Sequence, residues 1–139
     1  MLGRPDLLAA LVTVLAIIVY MVTAFRVGRM REKHGVAAPA VTGHPAFERA
    51  YRVQMNTLES MPIFLPALWL ATLYFVLVPF LAPALGLVWI VGRIVYMQAY
   101  IADPAKRGLG FGIAGVSQLA LLLLAIAGIV MSWSATSTV

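Results

Sequence analysis

The chain has 139 residues, which suits one domain, and 63% of them are hydrophobic while only 11% are charged. A soluble domain is nearer 45–50% apolar and about 25% charged, so this composition excludes an ordinary soluble fold and implies an integral membrane protein. The net charge of +5 sits between the hydrophobic runs rather than along an exposed helix or strand, which argues against nucleic acid and for anionic headgroups or an anionic ligand. There is no cysteine, so disulfides, thiolate metal sites and a protein thiol nucleophile are excluded. Any thiol chemistry has to use a thiol that a substrate brings.

A membrane span needs roughly 20 mostly apolar residues. Four runs fit, at roughly 7–25, 61–80, 82–101 and 109–133. The first is too long for a signal peptide. Arg26, Arg29, Arg31 and Lys33 follow it directly and mark it as a retained anchor. The loop from about 27 to 46 is the one long non-membrane segment, and its His34 and His44 are expected to be solvated. Basic residues fall in this loop and at Lys106 and Arg107, whereas the connection near 78–83 and the tail from Ser134 carry no charge. Both basic loops are therefore expected on the cytoplasmic side and both termini on the other.

The helix of the second run is expected to reach back to Phe47, so that a polar stretch leads into the apolar one. On a helix, Arg52, Asn56 and Glu59 are spaced i, i+4, i+7 and share a face, with Arg49 one turn outward. Gln54 looks toward a different neighbour. Polar side chains at the edge of a span are costly and are rarely there without a use. A plain structural role, with Arg52 and Glu59 paired inside the helix, would account for part of this group. Pro62 and Pro66 remove backbone donors, and a bend there would open space near Glu59.

The third run carries Arg93, Tyr96 and Tyr100, again on one helical face. Arg93 falls near mid-span, where an arginine must meet protein or ligand. Glu59 is the one carboxylate expected at that depth, so an Arg93–Glu59 contact is the simplest expectation. Asp103-Pro-Ala-Lys-Arg107 closes this span, either as topology-setting charge or with Arg107 over the mouth of a pocket. The inventory suits a small zwitterion with several carboxylates: arginines for the carboxylates, a glutamate for the ammonium. No Ser-His-Asp set, metal-ligand cluster or glycine-rich phosphate loop stands out.

The stretch Phe47-Glu-Arg-Ala-Tyr-Arg-Val-Gln-Met-Asn-Thr-Leu-Glu59 with Pro62-Ile-Phe-Leu65 resembles the signature of the MAPEG family, the membrane-associated proteins in eicosanoid and glutathione metabolism. So does Gly92-Arg-Ile-Val-Tyr-Met-Gln-Ala-Tyr100 followed by Pro104-Ala-Lys-Arg107. The likeness runs over essentially the whole chain and is strongest to the microsomal glutathione transferases and the leukotriene-conjugating synthase. It implies an all-α fold, an integral membrane four-helix bundle assembled as a homotrimer, with glutathione held between subunits near the cytoplasmic side and a lipophilic electrophile or lipid hydroperoxide entering from the membrane lipid. By motif position it implies glutathione binding by Arg52, Gln54, Asn56 and Glu59, with Arg93, Tyr96 and Tyr100 facing them. Arg107 is implied as the thiol-activating arginine. It also implies a first-helix arginine, Arg31 by ungapped counting or Arg29. Ser60 stands where the synthase has a tyrosine. Two other readings stay open: a non-catalytic lipid-binding scaffold of the same fold, and a small multidrug exporter.

Overall fold

The computed structural model describes residues 4–136; the termini on either side, on which the expected sidedness also bears, lie outside the described residues. Four long helices and one 3₁₀ turn follow one another, and there is no strand among the described residues. The first, α1, spans Pro5–His34. Proline at the first helical position costs no hydrogen bond there. Gly35 ends the helix in the left-handed conformation (φ 65°), and the Val36 amide returns to the Arg31 carbonyl at 3.0 Å. Thirty residues rise about 45 Å, more than the ~30 Å hydrocarbon core, so the basic last turns emerge beyond it.

The second helix, α2, spans Pro45–Tyr74. His44 caps it, with Nδ1 accepting from the Ala46 amide at 3.2 Å. The helix begins two residues before Phe47 and runs through Pro62 and Pro66. It stops at Tyr74, and residues 75–80 form an irregular link where the sequence suggested continued span. Its polar first half keeps it out of the set of helices apolar enough to cross a membrane, which among the described residues is α1 and the two helices that follow. The third, α3, spans Leu81–Ala102, and the fourth, α4, spans Gly108–Thr136. Between them, Asp103 accepts from the Ala105 amide at 3.0 Å and starts the 3₁₀ turn Pro104–Arg107.

All four helices feed one core. Ala9, Val12 and Ala16 of α1 meet Phe64, Ala67 and Leu68 of α2, Trp89 of α3, and Ala114 and Leu121 of α4. Alanine recurs at these contacts, as expected where helix association relies on close backbone approach. Phe64 and Trp89 stack at 3.9 Å between ring centroids. Ser60 and the Trp89 indole both donate to Gln118 Oε1, at 2.8 and 3.3 Å, and tie α2, α3 and α4 together. The outside is apolar instead: Leu109 and Val116 are each 70% exposed, a surface suited to lipid.

The start of α2, the end of α3 and the start of α4 lie at one end of the molecule. Arg49 joins two of them by donating to the carbonyls of Ile101 and Ala102, at 3.3 Å each. The end of α1 lies there too, through the His34–His44 ring stack at 3.6 Å.

Candidate functional site

At this end, α2, α3 and α4 enclose an open cleft of about 630 Å³. It is lined by Arg52 and Asn56 of α2, Tyr96 and Tyr100 of α3, Arg107 of the 3₁₀ turn and Phe111 of α4. A second cavity of about 200 Å³ shares Asn56 and Phe111 with it and adds Glu59, Ser60, Arg93 and Gln118. Every expected site residue except Gln54, Arg29 and Arg31 borders one of the two.

The helical register puts them there. Arg52, Asn56 and Glu59 lie along one stripe of α2, and Arg93, Tyr96 and Tyr100 along one stripe of α3. Two glycines bring α4 against α3. A Cβ on Gly92 would stand 2.6 Å from the Ala114 amide nitrogen, and one on Gly110 would overlap the backbone of Tyr96. This close approach sets the first turn of α4, and Arg107 just before it, beside the two tyrosines. The Arg107 guanidinium stands 5.9 Å from the Tyr100 ring centroid.

Arg93 is 2% exposed. Its Nη1 donates to Asn56 Oδ1 at 3.1 Å and its Nη2 to Thr57 Oγ1 at 2.7 Å. Its guanidinium lies 4.4 Å from the Tyr96 ring centroid, and its Nε has no hydrogen-bond partner. The expected Arg93–Glu59 contact is not formed. The fork of Arg93 meets α2 at the level of residues 56–57, where two neutral oxygens accept from its Nη1 and Nη2. Glu59 is nearly a turn further along and stays exposed, so its carboxylate keeps its hydration. The pairing of Arg52 with Glu59 is absent too: seven residues separate them by about 10 Å of helix rise. Among the described residues the one ion pair is Arg4–Asp6, at 2.8 Å. Among the described residues, Arg52, Glu59 and Arg107 thus present charge to the clefts without a carboxylate or cation paired with it. The larger cleft is cationic and the smaller has a carboxylate at its edge. Together they can take a ligand with anionic groups and one ammonium.

Three expected site residues lie elsewhere. Gln54 points to α1, with Nε2 3.5 Å from the Tyr20 hydroxyl. Arg31 holds the loop, donating to the Ala40 carbonyl at 2.7 Å with its guanidinium over the Phe47 ring. Arg29 borders a separate cavity with Arg26 and Arg49. Sequence reasoning passed over Thr57 and Gln118. Gln118 did carry a signal, as the one amide of a very apolar helix. Thr57 carried none, since a threonine that bonds back to its own helix, as Thr57 does to the Val53 carbonyl at 2.8 Å, is commonplace.

Comparison with known proteins decides the lineage. The pattern of the MAPEG family matches residues 9–127. The chain belongs to the MAPEG family. It is 45% identical over 120 residues to an uncharacterised protein of Synechocystis sp., covering 86% of each chain. It is 44% identical over 124 residues to microsomal glutathione S-transferase 2 of Homo sapiens, covering 89% of this chain and 82% of that one. It is 38% identical over 100 residues to leukotriene C4 synthase of Cavia porcellus, covering 72% and 65%. The MAPEG match takes in both clefts and reaches all four helices.

Proposed function

We propose that this MAPEG protein is a membrane glutathione transferase that binds glutathione in the paired clefts and activates its thiol. The observation that carries this reading is the convergence of Arg52, Asn56, Tyr96, Tyr100 and Arg107, from three elements, on one cleft of about 630 Å³. That volume lies within the range of about 300–1,000 Å³ usual for small-ligand sites. Arg52 and Arg107 are the exposed cations for the carboxylates and the sulfur. Glu59, at the edge of the smaller cleft, takes the ammonium. Asn56, shared by both, is oriented by Arg93. The name of the human relative, a microsomal glutathione S-transferase, supports a glutathione-dependent transfer.

A free thiol has a pKa near 8.5 and is mostly protonated at neutral pH. A fixed cation favours the thiolate. Arginine does not lose its proton, so Arg107 acts by charge and hydrogen bonding. A shift of ~2 units corresponds to about 2.7 kcal/mol of thiolate stabilisation. The thiolate attacks an electrophilic carbon and displaces the leaving group as an anion. With a lipid hydroperoxide it attacks the terminal oxygen, the O–O bond breaks, and the alcohol and a glutathione sulfenic acid form. A second glutathione then gives the disulfide and water.

The assembly belongs to the same proposal. Arg31 and Gln54 line neither cleft, which suits a homotrimer in which one subunit offers them to the glutathione of the next. Such packing would also cover the polar half of α2 and let all four helices span the membrane, with the cleft end cytoplasmic. Purified protein given glutathione and an aryl halide should form the conjugate, and with a lipid hydroperoxide it should form the alcohol. Binding of glutathione with neither product would leave a scaffold in place of an enzyme.

A further inference from the structure

Away from the clefts, the last turns of α1, the first turn of α2 and the end of α3 enclose a cavity of about 600 Å³. Arg26, Arg29 and Arg49 line it with His44, Pro45 and Ile101, and no carboxylate does. It shares no lining residue with the two clefts. Arg49 is partly engaged by the α3 carbonyls. Arg26 forms no ion pair among the described residues, and Arg29 has only the Phe25 ring, 5.9 Å from its guanidinium. The start of the 30-residue α2 adds the positive end of its dipole. Three guanidiniums around an open cavity suit a phosphate.

Its position says which phosphate. Arg26 directly follows the apolar run of α1, so the cavity stands at the edge of the hydrocarbon zone. Beneath Arg26, one and two turns down, are Val22 and Ile18, and beneath Arg29 is Phe25. They are 39%, 49% and 67% exposed. On α1 an exposed apolar stripe thus continues below the arginines of the cationic cavity. A soluble anion would use the first and leave the second; a phospholipid uses both. The geometry points to an anionic phospholipid as the occupant, with its phosphate among Arg26, Arg29 and Arg49 and its acyl chains along Ile18, Val22 and Phe25. The inference needs the chain to sit in a bilayer but does not need it to be a transferase.

The test is native mass spectrometry of the full chain in detergent, with phosphatidylglycerol, phosphatidylcholine or inorganic phosphate added. The wild-type protein should retain phosphatidylglycerol over phosphatidylcholine, and inorganic phosphate should not displace it. Each surface arginine contributes about 1 kcal/mol to anionic lipid binding. Arg26→Gln should therefore weaken phosphatidylglycerol about fivefold, and Arg26→Gln with Arg29→Gln about thirtyfold. Lys33→Gln removes the same charge outside the cavity and should leave it unchanged. Equal retention of the two lipids by the wild-type protein overturns the proposal without any variant. So does displacement by inorganic phosphate, which makes the cavity a soluble-anion site, or equal weakening by Lys33→Gln, which makes the effect one of net charge.

Discussion

Gly110→Ala tests whether the approach of α4 to α3 builds the site. The added Cβ would overlap the Tyr96 nitrogen and stand 2.6 Å from the Tyr96 Cα and 2.8 Å from the Gly92 carbonyl oxygen. These are backbone atoms and cannot rotate away. Restoring ordinary contact requires α4 to retreat by about 1 Å, and overpacking of this kind costs about 1–3 kcal/mol. The turn that retreats carries Phe111 and follows Arg107 directly. A displacement of about 1 Å at a reacting centre can cost roughly a hundredfold in rate. Gly112→Ala is the control, because nothing lies within 4 Å of its added Cβ on the same helix. It should hold or raise stability, since alanine is favoured over glycine in a helix by about 1 kcal/mol. Thermal unfolding and turnover at saturating glutathione are read side by side for both variants. Gly110→Ala should lose both while Gly112→Ala keeps both. If the two variants behave alike, the glycine contact does not position the site.

Three further outcomes follow from the same geometry. Glu59→Gln should weaken glutathione by about ten- to a hundredfold, the worth of one charge-assisted bond at about 1.5–3 kcal/mol, while its unfolding temperature stays put because Glu59 is exposed and unpaired; calorimetric titration reads the first, and an unchanged dissociation constant removes Glu59 from the site. Arg93→Met should leave the unfolding temperature unchanged or higher while glutathione affinity falls, because a buried cation without a carboxylate partner is costly and Thr57 keeps its bond to Val53; a large drop in stability would mean that the bonds to Asn56 and Thr57 outweigh the desolvation. Cysteines placed at Gly35 and Ser134 should label from opposite faces of the membrane, and labelling from one face contradicts four spans.

Helix periodicity carried much of this structure. The stripes of α2 and α3 were legible because register along one helix follows from its 3.6-residue repeat, and the paired motifs meet because both lie at the same end of the molecule. Register between helices is not written in either helix alone. That is why Arg93 meets Asn56 and Thr57 in place of Glu59, less than one turn away. The end of α2 at Tyr74 was hidden for a related reason: residues 75–80 are apolar, and hydropathy does not distinguish an apolar helix from an apolar link. The choice between Arg31 and Arg29 stayed open because the loop before the α2 motif varies in length and leaves the count uncertain; within one chain Arg31 serves the Ala40 carbonyl. The Gly92–Gly110 contact depends on the crossing of two helices, which composition does not reveal.

The central claim is that Arg107 stabilises the thiolate of bound glutathione, and the absorbance of that thiolate tests it most directly. Titrated against pH with saturating glutathione, the wild-type protein should show the thiolate well below pH 8.5, the ordinary thiol value. A fixed cation lowers the thiol pKa, so its removal raises it. In Arg107→Ala the transition should move up toward about 8.5, by ~2 units, and turnover at neutral pH should fall with it. Arg107→Lys should restore part of the shift, since it keeps the charge and loses the planar fork. If the Arg107→Ala curve overlays the wild type, with turnover intact, Arg107 does not activate the thiol.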